Sequence, residues 1–164
     1  MAITRTVTTR AIVSIESTET IDPGTGAAPT VKVHRFAYDK TFLSGNGTSQ
    51  FDRVYSEQAS ASSALDFSNA VLDAGGTALG ATKVTILAAQ CLGNASTDVM
   101  RVGEDAASVP IFNLPASYAT LGPGGLFLAI NPVGWAITAS TADIVDVNHT
   151  TGTWDHKSLI VGRT

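Results

Sequence analysis

Three histidines, one cysteine and a scatter of carboxylates are the side chains through which this sequence can do chemistry. His34, His149 and His156 are the candidate bases near neutral pH. Nucleophilic catalysis by serine needs that serine held by a positioned base. No serine here stands in a Gly-x-Ser-x-Gly elbow, so a triad has no local support. Cys91 ends an apolar stretch beside Leu92, a setting in which cysteine is a small core hydrophobe rather than a reactive thiol. His149, Asp155 and His156, with Asp143 or Asp146, are of metal-ligand type. Asp155 and His156 are adjacent, however, and neighbours in a strand point to opposite faces, so joint ligation requires a turn between them. The commoner reading of that segment is a surface loop.

Two further patterns fall short. Gly75-Gly76-Thr77-Ala78-Leu79-Gly80, followed by Ala81-Thr82-Lys83, has the glycines of a phosphate loop but not its Gly-Lys-Ser/Thr, and reads as a connection between strands. Glu104-Asp105 and the Asp143/Asp146 pair are paired carboxylates, but glycoside hydrolysis depends on their separation in space. Sugar binding is the better-supported rival, since Trp135, Trp154 or Tyr118 can stack on a sugar face when exposed. Trp154 lies in the polar run Thr150–Asp155 and is the exposed-aromatic candidate; the alternative is a tryptophan capping the end of a core. Trp135 is expected in the core. The chain is therefore expected not to be an enzyme, with no catalytic residue, no metal and no cofactor.

Composition narrows the class. The 164 residues bound one domain, with or without an arm. Hydrophobic residues make up 44 % and can fill a core. Charged residues are 15 %, against about 25 % in ordinary soluble domains. Mean hydropathy is +0.18. These values exclude a disordered chain. Ten Lys and Arg against fourteen Asp and Glu leave a net charge of −4, with no basic excess for nucleic acid. A single cysteine excludes an intramolecular disulfide framework. No apolar run approaches the ~20 residues of a membrane span, and Met1–Arg5, opening a polar, Thr-rich stretch, is not expected to begin a secretory signal. A low charge fraction without a membrane span implies surface covered by other subunits.

The elements that would position these residues are strands. Residues 3–15 are dense in β-branched side chains, and Val31–Phe36 begins a second strand after the turn Asp22-Pro23-Gly24-Thr25-Gly26. The segments 3–20 and 30–38 are expected to pair antiparallel. Further strands are expected at 51–56, 64–68, 83–91, 99–103, 126–130, 135–138, 143–148 and 158–161. Pro110–Tyr118 reads as a surface connection, and Asn131-Pro132-Val133-Gly134 as a turn. Turn signals every ~8–12 residues between short β-rich runs predict an all-β fold, an antiparallel β-sandwich or jelly-roll-like barrel with an N-terminal β-hairpin or arm. The expected division is 1–60 for the hairpin and first strands, and 61–164 for the sandwich core.

The back half resembles small virion structural proteins of tailed bacteriophages. The resemblance is carried by Leu65-Asp66-Phe67-Ser68, Leu79-Gly80-Ala81-Thr82-Lys83-Val84 and Gly122-Pro123-Gly124-Gly125-Leu126-Phe127-Leu128. It continues through Gly134-Trp135-Ala136-Ile137-Thr138-Ala139-Ser140-Thr141-Ala142-Asp143 and the closing Ile160-Val161-Gly162-Arg163. It covers residues 65–163 in patches and implies a β-sandwich component of a phage particle, made in the host cytoplasm and located in the virion. The expected role is a homo-oligomeric head decoration or cement subunit that contacts other virion proteins, the major capsid protein first, with no nucleic acid and no membrane as partner. The alternative is a tail or fibre module that binds host glycan. The edge of the N-terminal strand is thinly protected, by Arg5 and Arg10 and no proline. Ile3, Arg5, Val7, Thr9 and Ile12 are thus the subunit-contact candidates.

Overall fold

The computed structural model describes residues 8–21, 30–45, 47–48, 50–68, 78–103, 108–112 and 117–164. These fall into two units, Thr8–Leu43 and Ser44–Thr164.

The first unit is a long hairpin. Strand β1 (Thr9–Ile21) pairs antiparallel with β2 (Thr30–Ser44) over 13 positions, from Thr9↔Phe42 to Ile21↔Thr30. Valine, isoleucine and threonine favour this extended backbone because their χ1 is already restricted. Side chains directly opposite share a face. One face carries Ile12 and Ala37 between two ion pairs: Arg10 Nε to Asp39 Oδ1 at 2.8 Å, and Arg35 Nε to Glu16 Oε2 at 2.8 Å. The other sets Ile15 against Phe36 and Val13 against Tyr38. The Arg10 hydrogen bond and charge hold the Asp39 carboxyl below its ordinary range. Among the described residues the first strand runs from Thr9 to Ile21, against the expected segment 3–20. Ile3, Arg5 and Val7 lie outside the described residues.

The second unit is a β-sandwich, as the turn spacing predicts. Its strands are β3 (Gln50–Phe51), β4 (Arg53–Ala59), β5 (Ser63–Asp66), β6 (Lys83–Cys91), β7 (Met100–Gly103), β8 (Tyr118–Leu121), β9 (Leu126–Ala136), β10 (Ile144–His149) and β11 (His156–Arg163). One four-stranded sheet has the order β4-β11-β6-β9 and the other β5-β10-β7-β8, each antiparallel throughout. Within these two four-stranded sheets, only β7 and β8 are neighbours both in sequence and in the sheet. The core lies between the sheets, where Val84 and Leu87 of β6 and Ile160 of β11 meet Met100 and Val102 of β7 and Val145 and Val147 of β10. In β10 the alternation is plain: Val145 and Val147 are buried and Asp146 between them is less so. Trp135 packs against this core, half-buried.

Three boundaries differ from expectation. Strand β4 pairs with β11 from Arg53↔Gly162 to Ala59↔His156, so the division between units falls after Leu43, not after residue 60. Strand β8 follows the expected connection, where Tyr118-Ala119-Thr120-Leu121 has no strong apolar pattern. The run Asn131-Pro132-Val133-Gly134 is a bulge within one strand rather than a turn between two. Ile130 pairs with Ile86 and Trp135 with Val84, so four residues of β9 stand opposite the single Thr85 of β6. Gly134 takes a left-handed φ of +83° there, and a Cβ on it would lie 2.9 Å from the Lys83 side chain.

Candidate assembly interface

The candidate interface is the hairpin, because a two-stranded ribbon cannot bury its own side chains. Ten large hydrophobic residues are exposed among the described residues, and six stand on this unit: Ile12, Ile15, Val31, Val33, Phe36 and Leu43. Ile15 and Phe36, directly opposite in register, are 60 % and 59 % exposed. Ile12 on the other face is 60 % exposed. Thr9 is half-buried and shares a face with Ile15, so Thr9 and Ile12 point to opposite sides of the ribbon. Apolar side chains exposed on both faces make the ribbon the candidate contact surface.

The described carboxylates of the ribbon, Glu16, Glu19 and Asp39, each have a basic or imidazole partner on the opposite strand. Besides the two ion pairs above, His34 Nε2 lies 3.5 Å from Glu19 Oε2. Exposed pairs of this kind add little stability, but they fix the register and leave no strong field along the ribbon. Of the exposed apolar residues, sequence reasoning singled out Ile12 and did not single out Ile15, Val31, Val33 or Phe36. The signal was the pattern of Val31–Phe36, which put apolar residues on both faces of a stretch paired with β1.

Away from the hairpin, the exposed-aromatic expectation for Trp154 is corrected. Its side chain is buried, with the residue 8 % exposed. The indole stacks on His149 with ring centroids 3.8 Å apart and planes 14° from parallel. Its Nε1–H donates to the Thr151 carbonyl at 2.8 Å. A polar loop can bury its tryptophan because the loop's own backbone satisfies the single indole donor. Tyr118 is exposed, with the Arg101 guanidinium 4.6 Å from its ring centroid.

The structure also sorts the other candidates. His149 and His156 meet, with His149 Nε2 2.9 Å from His156 Nδ1. Asp155 does not join them: its Oδ2 accepts from Gln58 Nε2 at 2.6 Å. Asp143 accepts from Ser68 Oγ at 2.7 Å and from the Ser140 N–H at 2.8 Å, tying two turns together. Cys91 is buried and unbridged, its Sγ 3.8 Å from the Asp98 carbonyl. His34 lies on the exposed ribbon. Glu104, Asp105 and Gly75–Thr77 lie outside the described residues. Among the described residues, no three His, Cys, Asp or Glu side chains converge as a metal ion requires. Also among them, no helix is long and apolar enough to cross a membrane. No protein-family model matches the chain, and no significant match is found among curated proteins or solved structures.

Proposed function

We propose that this chain is a structural subunit of a tailed-phage particle, a head decoration protein that grips its neighbours through the hairpin. The observation that carries the assembly role is the ribbon itself. Thirteen residue pairs make it about 40 Å long at the usual strand rise. An isolated two-stranded hairpin is at best marginally stable in water. One that also exposes Ile12, Ile15 and Phe36 gains stability when a neighbour covers it. Each face of a ribbon of this length and about 10 Å width spans about 400 Å², so both faces together reach the roughly 800 Å² that a standard interface buries per partner. The mechanism is adhesion: apolar side chains of the arm are buried between subunits, and the sandwich serves as the rigid anchor. The phage setting rests on the sequence resemblance described above.

The alternative, a glycan-binding tail or fibre module, has less support. It needs an aromatic platform open to solvent. Trp154 is occupied by His149, and Arg101 sits over the ring of Tyr118. A shallow cleft of about 450 Å³ lies along β4, β11 and β6, floored by Ala88 and flanked by Gln58, Gln90 and Lys157, and no aromatic ring lines it. A density map of the assembled particle tests the proposal. The expected result is the sandwich on the head surface with its hairpin laid across an adjacent subunit. A subunit found on the tail, or a hairpin pointing into solvent, overturns it.

A further inference from the structure

The two sheets of the sandwich are joined at one end by a pair of imidazoles. His149 closes β10 in one sheet and His156 opens β11 in the other, with the loop 150–155 between them. The rings meet edge to face, centroids 5.0 Å apart. His156 is fully buried. Its Nε2 lies 3.2 Å from Glu57 Oε1 on β4, and the Tyr55 hydroxyl donates to Glu57 Oε2 at 2.7 Å. Burial, with Glu57 beside it, pushes the Tyr55 hydroxyl up to about 12, so it remains a donor.

For a neutral histidine pair beside an ionised Glu57, these contacts assign each proton. The Glu57 carboxylate only accepts, so His156 donates through Nε2. The neutral His156 ring then accepts at Nδ1, and His149 must donate through Nε2. That leaves His149 Nδ1 as a bare lone pair, and this atom is buried with no hydrogen-bond partner. An added proton has nowhere satisfactory to go. On His149 it becomes an Nδ1–H without an acceptor. On His156 it reverses the shared hydrogen bond and forces His149 into the Nδ1–H tautomer, with the same result. A buried donor without an acceptor is costly.

The surroundings give partial relief at most. Burial lowers the His149 pKa most, His156 lowers it further, and the Asp155 carboxylate works in the opposite direction. From β6, Cys91 stands opposite His156 in register. From β7, Met100 stands opposite His149, and the adjacent Arg101 lies over Tyr118. Asp98, in the loop before β7, spends one carboxylate oxygen on the N–H groups of Asn94 and Ala95. Lys157 points to the outer face of its sheet, exposed.

We propose that the His149–His156 joint is an acid-operated latch, closed while the pair is neutral and released when a proton is forced onto it. Release frees the Thr150–Asp155 loop and the indole that His149 covers. The direction follows from linkage. Histidine in the unfolded chain titrates near 6.5, and His149 in the closed joint titrates below that. Between the two values the open form binds more protons, so the closed form loses stability as pH falls through that window. Above it this residue makes stability independent of pH.

Ring-nitrogen and indole NMR on the full chain, from about pH 7.5 to about pH 4.5, reads the latch directly. At neutral pH His149 should be the Nε2–H tautomer. Its titration should fall below 6.5. Over the same step the Trp154 indole N–H should lose about tenfold protection from exchange relative to Trp135. His149→Phe keeps a ring on the indole and removes the proton site, and should keep Trp154 protected throughout. A His149 that is Nδ1–H at neutral pH, that titrates at or above 6.5, or whose titration leaves Trp154 unchanged overturns the proposal. So does the same loss of protection in His149→Phe. The wild-type titration decides the matter even if that variant does not fold.

Discussion

Ile160 and Lys157 stand three residues apart on β11 and answer to different physics. Ile160 is fully buried between the sheets. Replacing it with alanine removes apolar area and leaves a cavity in a close-packed core, at a cost of about 2–5 kcal/mol. Lys157→Ala, on the exposed face, should stay within about 0.5 kcal/mol. Denaturant unfolding of both variants checks the assignment of faces, and equal losses would contradict it. Glycines offer a second pair. Gly124 and Gly134 both adopt left-handed φ, +71° and +83°. A methyl on Gly124 would meet nothing within 4 Å, whereas one on Gly134 would press on Lys83. Gly124→Ala should cost only the backbone strain, about 1 kcal/mol. Gly134→Ala should cost clearly more, measured the same way, because the bulge must also shift.

At the scale of the element, β11 is the strand on which its sheet depends. It lies between β4 and β6 and pairs with both along its length. Removing residues from Ser158 onward should therefore prevent the sandwich from folding, seen as loss of the cooperative thermal transition. An unchanged transition would contradict the central placement of β11. Part of this was legible from sequence. Lys83–Cys91 reads as a strand residue for residue, because a continuous β-rich run bounded by turn residues has no competing pattern. The Leu159-Ile160-Val161 run reads as core for the same reason, and Ile160 and Val161 are buried while Leu159 is half-buried. The bulge in β9 was not legible: Asn131-Pro132-Val133-Gly134 has the chemistry of a turn, and only the partner strand β6 shows that the chain continues in the same direction. Glu57 was not legible as a neighbour of His156, since 99 residues separate them and the polar run around Glu57 has no periodicity to assign a face. Nor was the burial of Trp154, which depends on a ring from another strand.

For the whole molecule the distribution of charge and apolar surface is decisive. Residues 8–43 carry four Lys and Arg and four Asp and Glu, while residues 44–164 carry five and ten. The acidic excess belongs to the sandwich, and the arm is neutral with exposed isoleucine and phenylalanine. On the proposed reading the acidic bodies repel one another, while the electrically neutral arms supply the apolar contact. Self-association should strengthen with added salt, as repulsion between bodies is screened and apolar burial is not. Light scattering at low and high ionic strength checks this, and association that weakens with salt would point to ion pairs instead. The most direct measurement of the account is sedimentation velocity on the full chain beside the double variant Ile15→Asp, Phe36→Asp, at equal micromolar concentration. Both substitutions fall on exposed positions, so the thermal transition of the sandwich should be unchanged. The wild-type chain should sediment as a concentration-dependent oligomer and the variant as a 16.9 kDa monomer. A wild-type chain that is monomeric, or a variant that associates as the wild type does, would contradict the hairpin as the contact between subunits.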